Sequence, residues 1–128
     1  MAARPAPLRV LVVDDEPTLR AFMVRALAGD GHEVAIAEDG AGALEAIAGA
    51  EQPFDVVISD IVMPETDGIS LALKIAKDSP TTAVVLISGY PAELERARNL
   101  EALVRATLAK PFTMDDLRKL VAGLARPV

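Results

Sequence analysis

The sequence predicts an α/β fold in which helices cover both faces of a doubly wound parallel sheet. Apolar, β-rich runs alternate with helical patterns from end to end of the chain. Several of these runs are continuously apolar, which is typical of strands that are buried on both faces. The length of 128 residues fits one domain that can bury a core.

Five short apolar runs are predicted to form the strands. They are Leu8–Val13, Glu33–Ala37, Phe54–Ser59, Ala83–Ile87 and Val104–Ala109. Residues 1–7 precede the first strand and lack the apolar core of a signal peptide. We therefore expect a loose lead-in over residues 1–7 and one domain over residues 8–126.

Helical periodicity fills the intervals between the strands. The first helix is expected to end near Gly31, and the third before Pro80. Pro91 can open the fourth helix, since its missing N–H costs nothing in the first turn. Thr113 can cap the fifth helix. The apolar positions that mark helices one, two, three and five are Leu19, Phe22, Met23, Ala26 and Leu27; Leu44, Ile47 and Ala48; Ile69, Ala72, Leu73 and Ala76; and Leu117, Leu120, Val121 and Leu124.

The composition excludes several functions. The chain has no cysteine, so disulfides, thiolate metal sites and cysteine nucleophiles are impossible. The formal charge of −6 argues against direct binding to nucleic acid, which needs a basic face. No segment approaches the roughly 20 apolar residues of a membrane span. We expect a cytoplasmic protein, and we expect its one histidine, His32, to lie at the surface.

Polar residues follow four of the five predicted strands. Asp14 and Asp15 follow the first, Asp60 the third, Ser88 the fourth and Lys110 the fifth. The carboxyl ends of the strands share one edge of such a sheet, and ligands bind there. We therefore expect three carboxylates, one hydroxyl and one ammonium group to share a cleft.

This set of residue types is suited to phosphoryl transfer with Mg²⁺. Crowded carboxylates repel one another unless a cation is present, and Mg²⁺ prefers oxygen ligands. Asp15 and Asp60 are the predicted direct ligands, and Asp14 would act through water. A carboxylate can also be a nucleophile that forms an acyl phosphate. Lys110 and Ser88 could then neutralise and orient the phosphoryl oxygens.

Four motifs taken together resemble the receiver domain of two-component response regulators. They are Val10-Leu-Val-Val-Asp-Asp-Glu16, Asp60-Ile-Val-Met-Pro64 with Asp67-Gly68, Ser88-Gly89, and Lys110-Pro-Phe112. Their spacing and order match that family over nearly the whole chain. The resemblance implies a flavodoxin-like sheet of order 2-1-3-4-5 with five helices, the order known from flavodoxin and the chemotaxis receiver.

The resemblance also assigns roles at the metal site. It implies that Asp60 is the phosphoacceptor and that Asp14 and Asp15 form the acidic Mg²⁺ pair. The backbone carbonyl of Val62 would be a further metal ligand.

Two further roles come from the same resemblance. Ser88 would be a switch hydroxyl that moves toward the phosphoryl group, and Lys110 would pair with that group. The peptide bond between Lys110 and Pro111 is expected to be cis.

One position named by the resemblance departs from the family pattern. Thr107 stands where most receivers have an aromatic residue that turns inward when the switch hydroxyl moves. We hypothesise that Tyr90 serves as the aromatic reporter instead. Val62 and Tyr90 occupy the two variable positions that affect attack of water on the acyl phosphate, and neither is a carboxylate or amide suited to orient water. Slow self-dephosphorylation is expected.

The partners follow from the resemblance. The phosphodonor would be a histidine kinase or a histidine phosphotransfer protein. The output would be a contact with a downstream protein through the face formed by helix four, strand five and helix five. Phosphorylation would shift the population of that face's conformations. Such a protein is a signalling phosphoacceptor and not an enzyme, since it catalyses only its own phosphorylation and slow dephosphorylation.

Three alternative functions require other residues or leave the phosphorylation site unused. A haloacid-dehalogenase-like phosphohydrolase needs a second acid two residues after Asp60, where Val62 stands. A nucleotide-binding α/β protein needs a glycine-rich loop where Asp14-Asp15-Glu16-Pro17 stands. A degenerate receiver would bind partners without phosphorylation. The intact Asp60 and Lys110 argue against it, but Thr107 leaves it open.

Overall fold

The computed structural model describes residues 7–64, 66–100 and 102–124, which contain five strands and five helices. The expected lead-in apart from Pro7, and residues 125 and 126 of the expected domain, lie outside the described residues. The elements in chain order are β1 (Arg9–Val13), α1 (Pro17–Gly29), β2 (Glu33–Ala37), α2 (Gly40–Gly49), β3 (Val56–Asp60), α3 (Gly68–Asp78), β4 (Ala83–Ser88), α4 (Pro91–Arg98), β5 (Ala106–Ala109) and α5 (Met114–Leu124).

The predicted topology is confirmed. The sheet has the order β2-β1-β3-β4-β5, and all four neighbouring pairs are parallel. Val10 lies opposite Val34 on one side and Val56 on the other, which makes β1 an inner strand. Parallel pairs require crossover connections, and here each crossover contains one helix. None of the helices among the described residues has the length and apolar composition needed to cross a membrane.

Alternate residues of each inner strand enter two separate cores. In β1, Val10 and Val12 pack with α1 and α5 on one face of the sheet. Leu11 and Val13 pack on the opposite face with residues of α2, α3 and α4. Burial of one such side chain contributes about 1.5–3 kcal/mol relative to exposure. The two faces explain why the strands read as continuous apolar runs.

The strand bounds differ from the prediction mainly at β3 and β5. Phe54 and Val104 were predicted to begin these strands, but the ladders begin two residues later in each case. Both side chains are buried, so they belong to the core although they precede the ladder. The Phe54 carbonyl accepts a hydrogen bond from the Thr82 hydroxyl at 2.7 Å, and the Val104 N–H donates to the Leu100 carbonyl at 2.8 Å. The two predicted strands therefore began too early, because apolar residues in the buried turns before them resemble strand residues.

The helix ends follow their predicted signals. Pro91 is the first residue of α4, and α1 is followed by Gly31 with a φ of 88°. At α5 the Thr113 hydroxyl accepts from the Asp116 N–H at 3.0 Å, and the Asp116 carboxylate accepts from the Thr113 N–H at 2.9 Å. This reciprocal pair is a capping arrangement that satisfies two backbone donors.

Two predicted apolar positions lie on the wrong helix face. Leu73 of α3 is 48% exposed, because Ile69, Ala72 and Ile75 form the buried stripe. In α2, Ala48 is exposed as well. Ile69 lies at one edge of this buried stripe. Leu73, four positions later, is rotated by about 40° from Ile69, away from the stripe, and this places it at the solvent.

The predicted surface position of His32 is wrong. The side chain is only 5% exposed, and its Nδ1 accepts a hydrogen bond from the Leu8 N–H at 3.0 Å. Burial lowers the pKa of His32, although the charge of Asp30 opposes this shift. The backbone of Gly31 has a left-handed conformation, which turns the chain so that His32 packs against Leu8, the residue before β1.

Candidate functional site

The carboxyl ends of four strands bring the predicted polar residues to one edge of the sheet. Asp60 and Ser88 are the last residues of β3 and β4, while Asp14 and Lys110 directly follow β1 and β5. Asp14, Asp60 and Ser88 are buried, Lys110 is partly buried and Asp15 is exposed. The edge therefore forms a mostly buried polar site that opens to solvent at Asp15.

Three carboxylates crowd this edge. One oxygen from each of Asp14, Asp15 and Asp60 lies within 4.8 Å of the others. Asp14 Oδ1 accepts the Glu16 N–H at 2.8 Å, but buried Asp14 Oδ2 has no hydrogen-bond partner among the described residues. Burial raises the pKa of Asp14, and the Asp60 charge adds to this although the Glu16 hydrogen bond opposes it. The cluster thus contains an unsatisfied acceptor and excess negative charge.

Lys110 supplies the positive charge at the site. Its Nζ donates to Asp60 Oδ2 at 2.7 Å. Burial alone would lower the pKa of Lys110, but the hydrogen bond and charge of Asp60 outweigh it and raise the pKa. Lys110 is therefore an ammonium group at neutral pH. One ammonium against three carboxylates still leaves the site negative.

The donor set fits a hard divalent cation. All the candidate side-chain ligands are carboxylate oxygens, which Mg²⁺ prefers. The unpartnered Asp14 Oδ2 and the mutual repulsion of the carboxylates are both relieved by a cation.

The loop after Asp60 is folded tightly against it. The Val62 N–H donates to Asp60 Oδ1 at 3.2 Å, and Val62 forms an antiparallel bridge with Asp67. The Gly68 N–H donates to the Ile61 carbonyl at 2.7 Å. A Cβ atom on Gly68 would lie 2.4 Å from the Asp60 carbonyl oxygen. Glycine is needed here because two backbone segments approach closely, so the Asp67-Gly68 motif does more than form a turn.

Ser88 connects the site to α4. Its Oγ accepts the N–H of Tyr90 at 3.0 Å, and Tyr90 is the residue that precedes α4. The Tyr90 side chain is 62% exposed. A displacement of the Ser88 hydroxyl would therefore affect the start of α4 through the Tyr90 backbone.

Thr107 lies in β5 two residues before the strand end at which the site residues meet. It lies in β5 opposite Leu86, two positions along the ladder from the pair that contains Ser88. Its neighbours Ala106 and Leu108 pack on the core shared by α1 and α5, so Thr107 faces the side of the sheet that α4 covers. The Lys110–Pro111 peptide bond is cis, as predicted.

Arg20 contacts the site but is absent from the residues predicted from sequence. Its Nη1 donates to the Asp14 carbonyl at 2.8 Å. A basic residue one turn into the helix that follows an acidic pair is a weak signal, since such residues usually face solvent. Only the packing of α1 shows that this one points back to the strand end.

The strand order and the site define a class of protein, namely flavodoxin-like domains with carboxylates and a lysine at the carboxyl ends of the strands. A model of the response regulator receiver domain family matches residues 10–122. The chain therefore belongs to the response regulator receiver domain family, whose members act in two-component phosphorelay signalling.

Three bacterial relatives show the range of this similarity. The transcriptional regulatory protein TcrA of Mycobacterium tuberculosis is 32% identical over 96% of this chain and 48% of its own length. The receiver protein CpdR of Brucella abortus is 35% identical over 85% of this chain and 89% of its own length. The sensor kinase CckA of Brucella abortus is 41% identical over 88% of this chain and 12% of its own length. The chain thus spans about half the length of TcrA and a small part of CckA.

Solved structures agree with the fold. The chemotaxis response regulator CheY4 of Vibrio cholerae superposes with a TM-score of 0.82 at 27% identity, covering 93% of this chain and 99% of that one. The response regulator TrrA of Thermotoga maritima, solved in complex with Mg²⁺ and BeF, has a TM-score of 0.80 at 32% identity. That match covers 91% of this chain and 98% of TrrA.

Proposed function

We propose that Asp60 accepts a phosphoryl group from the phosphohistidine of a histidine kinase or histidine phosphotransfer protein, with the help of Mg²⁺. The observation that carries the proposal is the buried carboxylate of Asp60, which Lys110 holds by a 2.7 Å ion pair beside two further acids. An ion pair alone could be structural. Asp14 Oδ2 next to it has no hydrogen-bond partner among the described residues, which supports a cation at the site.

The transfer exchanges one bond to phosphorus for another. A carboxylate oxygen of Asp60 attacks the phosphorus, the P–N bond to the donor histidine breaks, and the nitrogen leaves with the electron pair and gains a proton. Charge spreads over the three phosphoryl oxygens, so the protein contributes mainly position and neutralisation. Lys110 moves from the carboxylate to a phosphoryl oxygen, and the Ser88 hydroxyl donates to another.

Mg²⁺ would neutralise phosphoryl charge and the charge of the acidic pair when bound. Asp15, Asp60 and the carbonyl of Val62 would hold it directly, with Asp14 acting through water. The Mg²⁺ complex of TrrA supports this reading by analogy.

The output is a change in a protein–protein surface formed by α4, β5 and α5. When Ser88 turns toward the phosphoryl group, the Tyr90 N–H loses its acceptor and the start of α4 can move. The phosphoryl group then shifts the population of α4 conformations toward one that a downstream protein binds. Thr107 gives this face no aromatic toggle, so exposed Tyr90 takes that role.

The phosphorylated state should be long-lived. Val62 and Tyr90 stand two residues after Asp60 and Ser88, and neither exposed side chain carries a carboxylate or amide suited to orient a water for attack. A phosphoryl lifetime of only seconds in the presence of Mg²⁺ would contradict this. Dephosphorylation of the isolated domain, followed by mass after removal of the donor, measures the lifetime.

Phosphorylation itself is tested with a small acyl-phosphate donor and Mg²⁺, with the intact mass as the readout. Wild type should gain one phosphoryl mass only with Mg²⁺, and Asp60→Asn should gain none. Asp78→Asn, a matched change at an exposed aspartate at the end of α3, should behave as wild type. No gain by wild type under any donor would favour the degenerate receiver that binds partners without phosphorylation.

The role of Tyr90 is tested separately on the downstream interaction. Tyr90→Ala should be phosphorylated normally and yet bind the downstream partner more weakly in the phosphorylated state. Unchanged binding would remove Tyr90 from the switch.

A further inference from the structure

Arg20 is a largely buried arginine beside the acidic pair, with a side chain that is 12% exposed. Its backbone N–H donates to the Glu16 carbonyl at 3.0 Å, so it lies in the first turn of α1. From there its Nη1 reaches back to the Asp14 carbonyl at 2.8 Å, while Nη2 lies 3.9 Å from Glu38 Oε1. The guanidinium thus bridges the ends of β1 and β2 beneath the site.

The contact with Arg20 completes the restraints on Asp14. The Asp14 N–H donates to the Ala37 carbonyl at 3.2 Å, and Asp14 Oδ1 accepts from the Glu16 N–H at 2.8 Å. With its carbonyl held by Arg20, Asp14 is fixed at three atoms, and Oδ2 alone remains without a partner among the described residues. The position of that oxygen in the carboxylate cluster is therefore set by these three hydrogen bonds.

The same contact orients Asp15. The carbonyl that Arg20 binds belongs to the peptide group that joins Asp14 to Asp15. The guanidinium therefore fixes the orientation of this peptide plane, which includes the backbone nitrogen of Asp15. Asp15 is exposed and would otherwise be the most mobile carboxylate of the cluster. A charged donor to a carbonyl gives a stronger hydrogen bond than a neutral one.

We infer that Arg20 is a positioning residue for the acidic pair, which raises the affinity for Mg²⁺ by holding the Asp14–Asp15 peptide group. The inference rests on the proposed Mg²⁺ site. Arg20 does not touch the metal or the phosphoryl group; it acts through the backbone. Partners in the outer shell of a metal site typically contribute about 10–100-fold to affinity, and we expect about three- to tenfold here because Asp14 acts through water.

The test compares substitutions at Arg20 with the same change at Arg25, an exposed residue of the same helix. Arg20→Met and Arg20→Gln remove the guanidinium, Arg20→Lys keeps a cationic donor, and Arg25→Met is the control. The Mg²⁺ dissociation constant is measured by calorimetry on folded protein. Protection of the Asp15 amide against hydrogen exchange is measured without metal.

We expect Arg20→Met and Arg20→Gln to raise the dissociation constant about three- to tenfold and to speed exchange at Asp15. Arg20→Lys should recover much of the affinity, and Arg25→Met should match wild type. If Arg20→Met does not fold, Arg20→Gln decides the question.

Dissociation constants within twofold of wild type for the folded Arg20→Met or Arg20→Gln variant would overturn the inference. So would an equal increase in Arg25→Met. Failure of wild type itself to bind Mg²⁺ would overturn the proposed metal site and this inference with it, so the two failures are distinguishable.

Discussion

Gly68 offers the sharpest test of how the loop after Asp60 is built. A Cβ atom at this position would lie 2.4 Å from the Asp60 carbonyl oxygen and 2.8 Å from the Ile61 Cα. Ordinary van der Waals contact begins at 3.4 Å, so the Gly68→Ala variant must separate the two backbone segments by about 1 Å. Both neighbours are backbone atoms, which cannot move aside as a flexible side chain does.

The size of the effect follows from two opposing contributions. Overpacking of this kind typically costs about 1–3 kcal/mol, and the rigidity of the backbone favours the upper end. Alanine is a better helix former than glycine by up to about 1 kcal/mol, which offsets part of that cost. We therefore expect Gly68→Ala to reduce the free energy of unfolding by about 2 kcal/mol, or roughly 1 M in the urea midpoint.

Gly123→Ala is the matched control. Gly123 lies inside α5, and a Cβ atom there meets nothing within 4 Å. This variant should be stabilised by up to about 1 kcal/mol, since only the helix propensity changes. Urea unfolding of both variants and of wild type measures the difference. Equal midpoints for Gly68→Ala and Gly123→Ala would refute the argument that glycine is required by backbone approach.

The other predictions concern His32, the cap of α5 and Lys110. Because burial keeps the pKa of His32 below that of the unfolded chain, the unfolded state takes up a proton first and the free energy of unfolding falls as pH drops below about 6.5. His32→Asn should lose this dependence between pH 7.5 and 5.5, and parallel curves for variant and wild type would contradict it. Thr113→Ala removes the cap of α5 and should lower the free energy of unfolding by about 1 kcal/mol in urea titrations; no change would show that the cap is dispensable. Lys110→Met removes a charge-assisted hydrogen bond of about 1.5–3 kcal/mol, so phosphorylation by an acyl phosphate should slow by about 10- to 100-fold. A rate within twofold of wild type would show that Lys110 only stabilises the unphosphorylated carboxylate of Asp60.

Local patterns in the chain were sufficient to predict the fold and to predict which polar residues meet at the edge of the sheet. Each strand lies between two cores, so its residues are apolar on both faces and the run is visible in the sequence. In a parallel sheet the carboxyl ends of the strands share an edge by topology alone. Asp14, Asp60, Ser88 and Lys110 could therefore be placed together from their positions after the strands.

Contacts between elements could not be predicted from those patterns. Phe54 extended a predicted strand because burial in a turn and burial in a ladder give the same apolar signal. Leu73 was assigned to the core because it lies only about 40° around the helix from Ile69, and periodicity does not resolve so small a rotation. His32 was expected at the surface, although the turn at Gly31 places it beneath Leu8.

The sequence by itself thus determined which residues form the sheet and which functional groups meet at its edge, because periodicity and strand polarity are local properties. Only the tertiary structure decided how these groups are held. Arg20 reaches the Asp14 carbonyl, and Gly68 admits the backbone of Asp60, because in each case the chain bends back on a segment a few residues earlier. Such contacts depend on the relative placement of whole elements, which local periodicity does not encode.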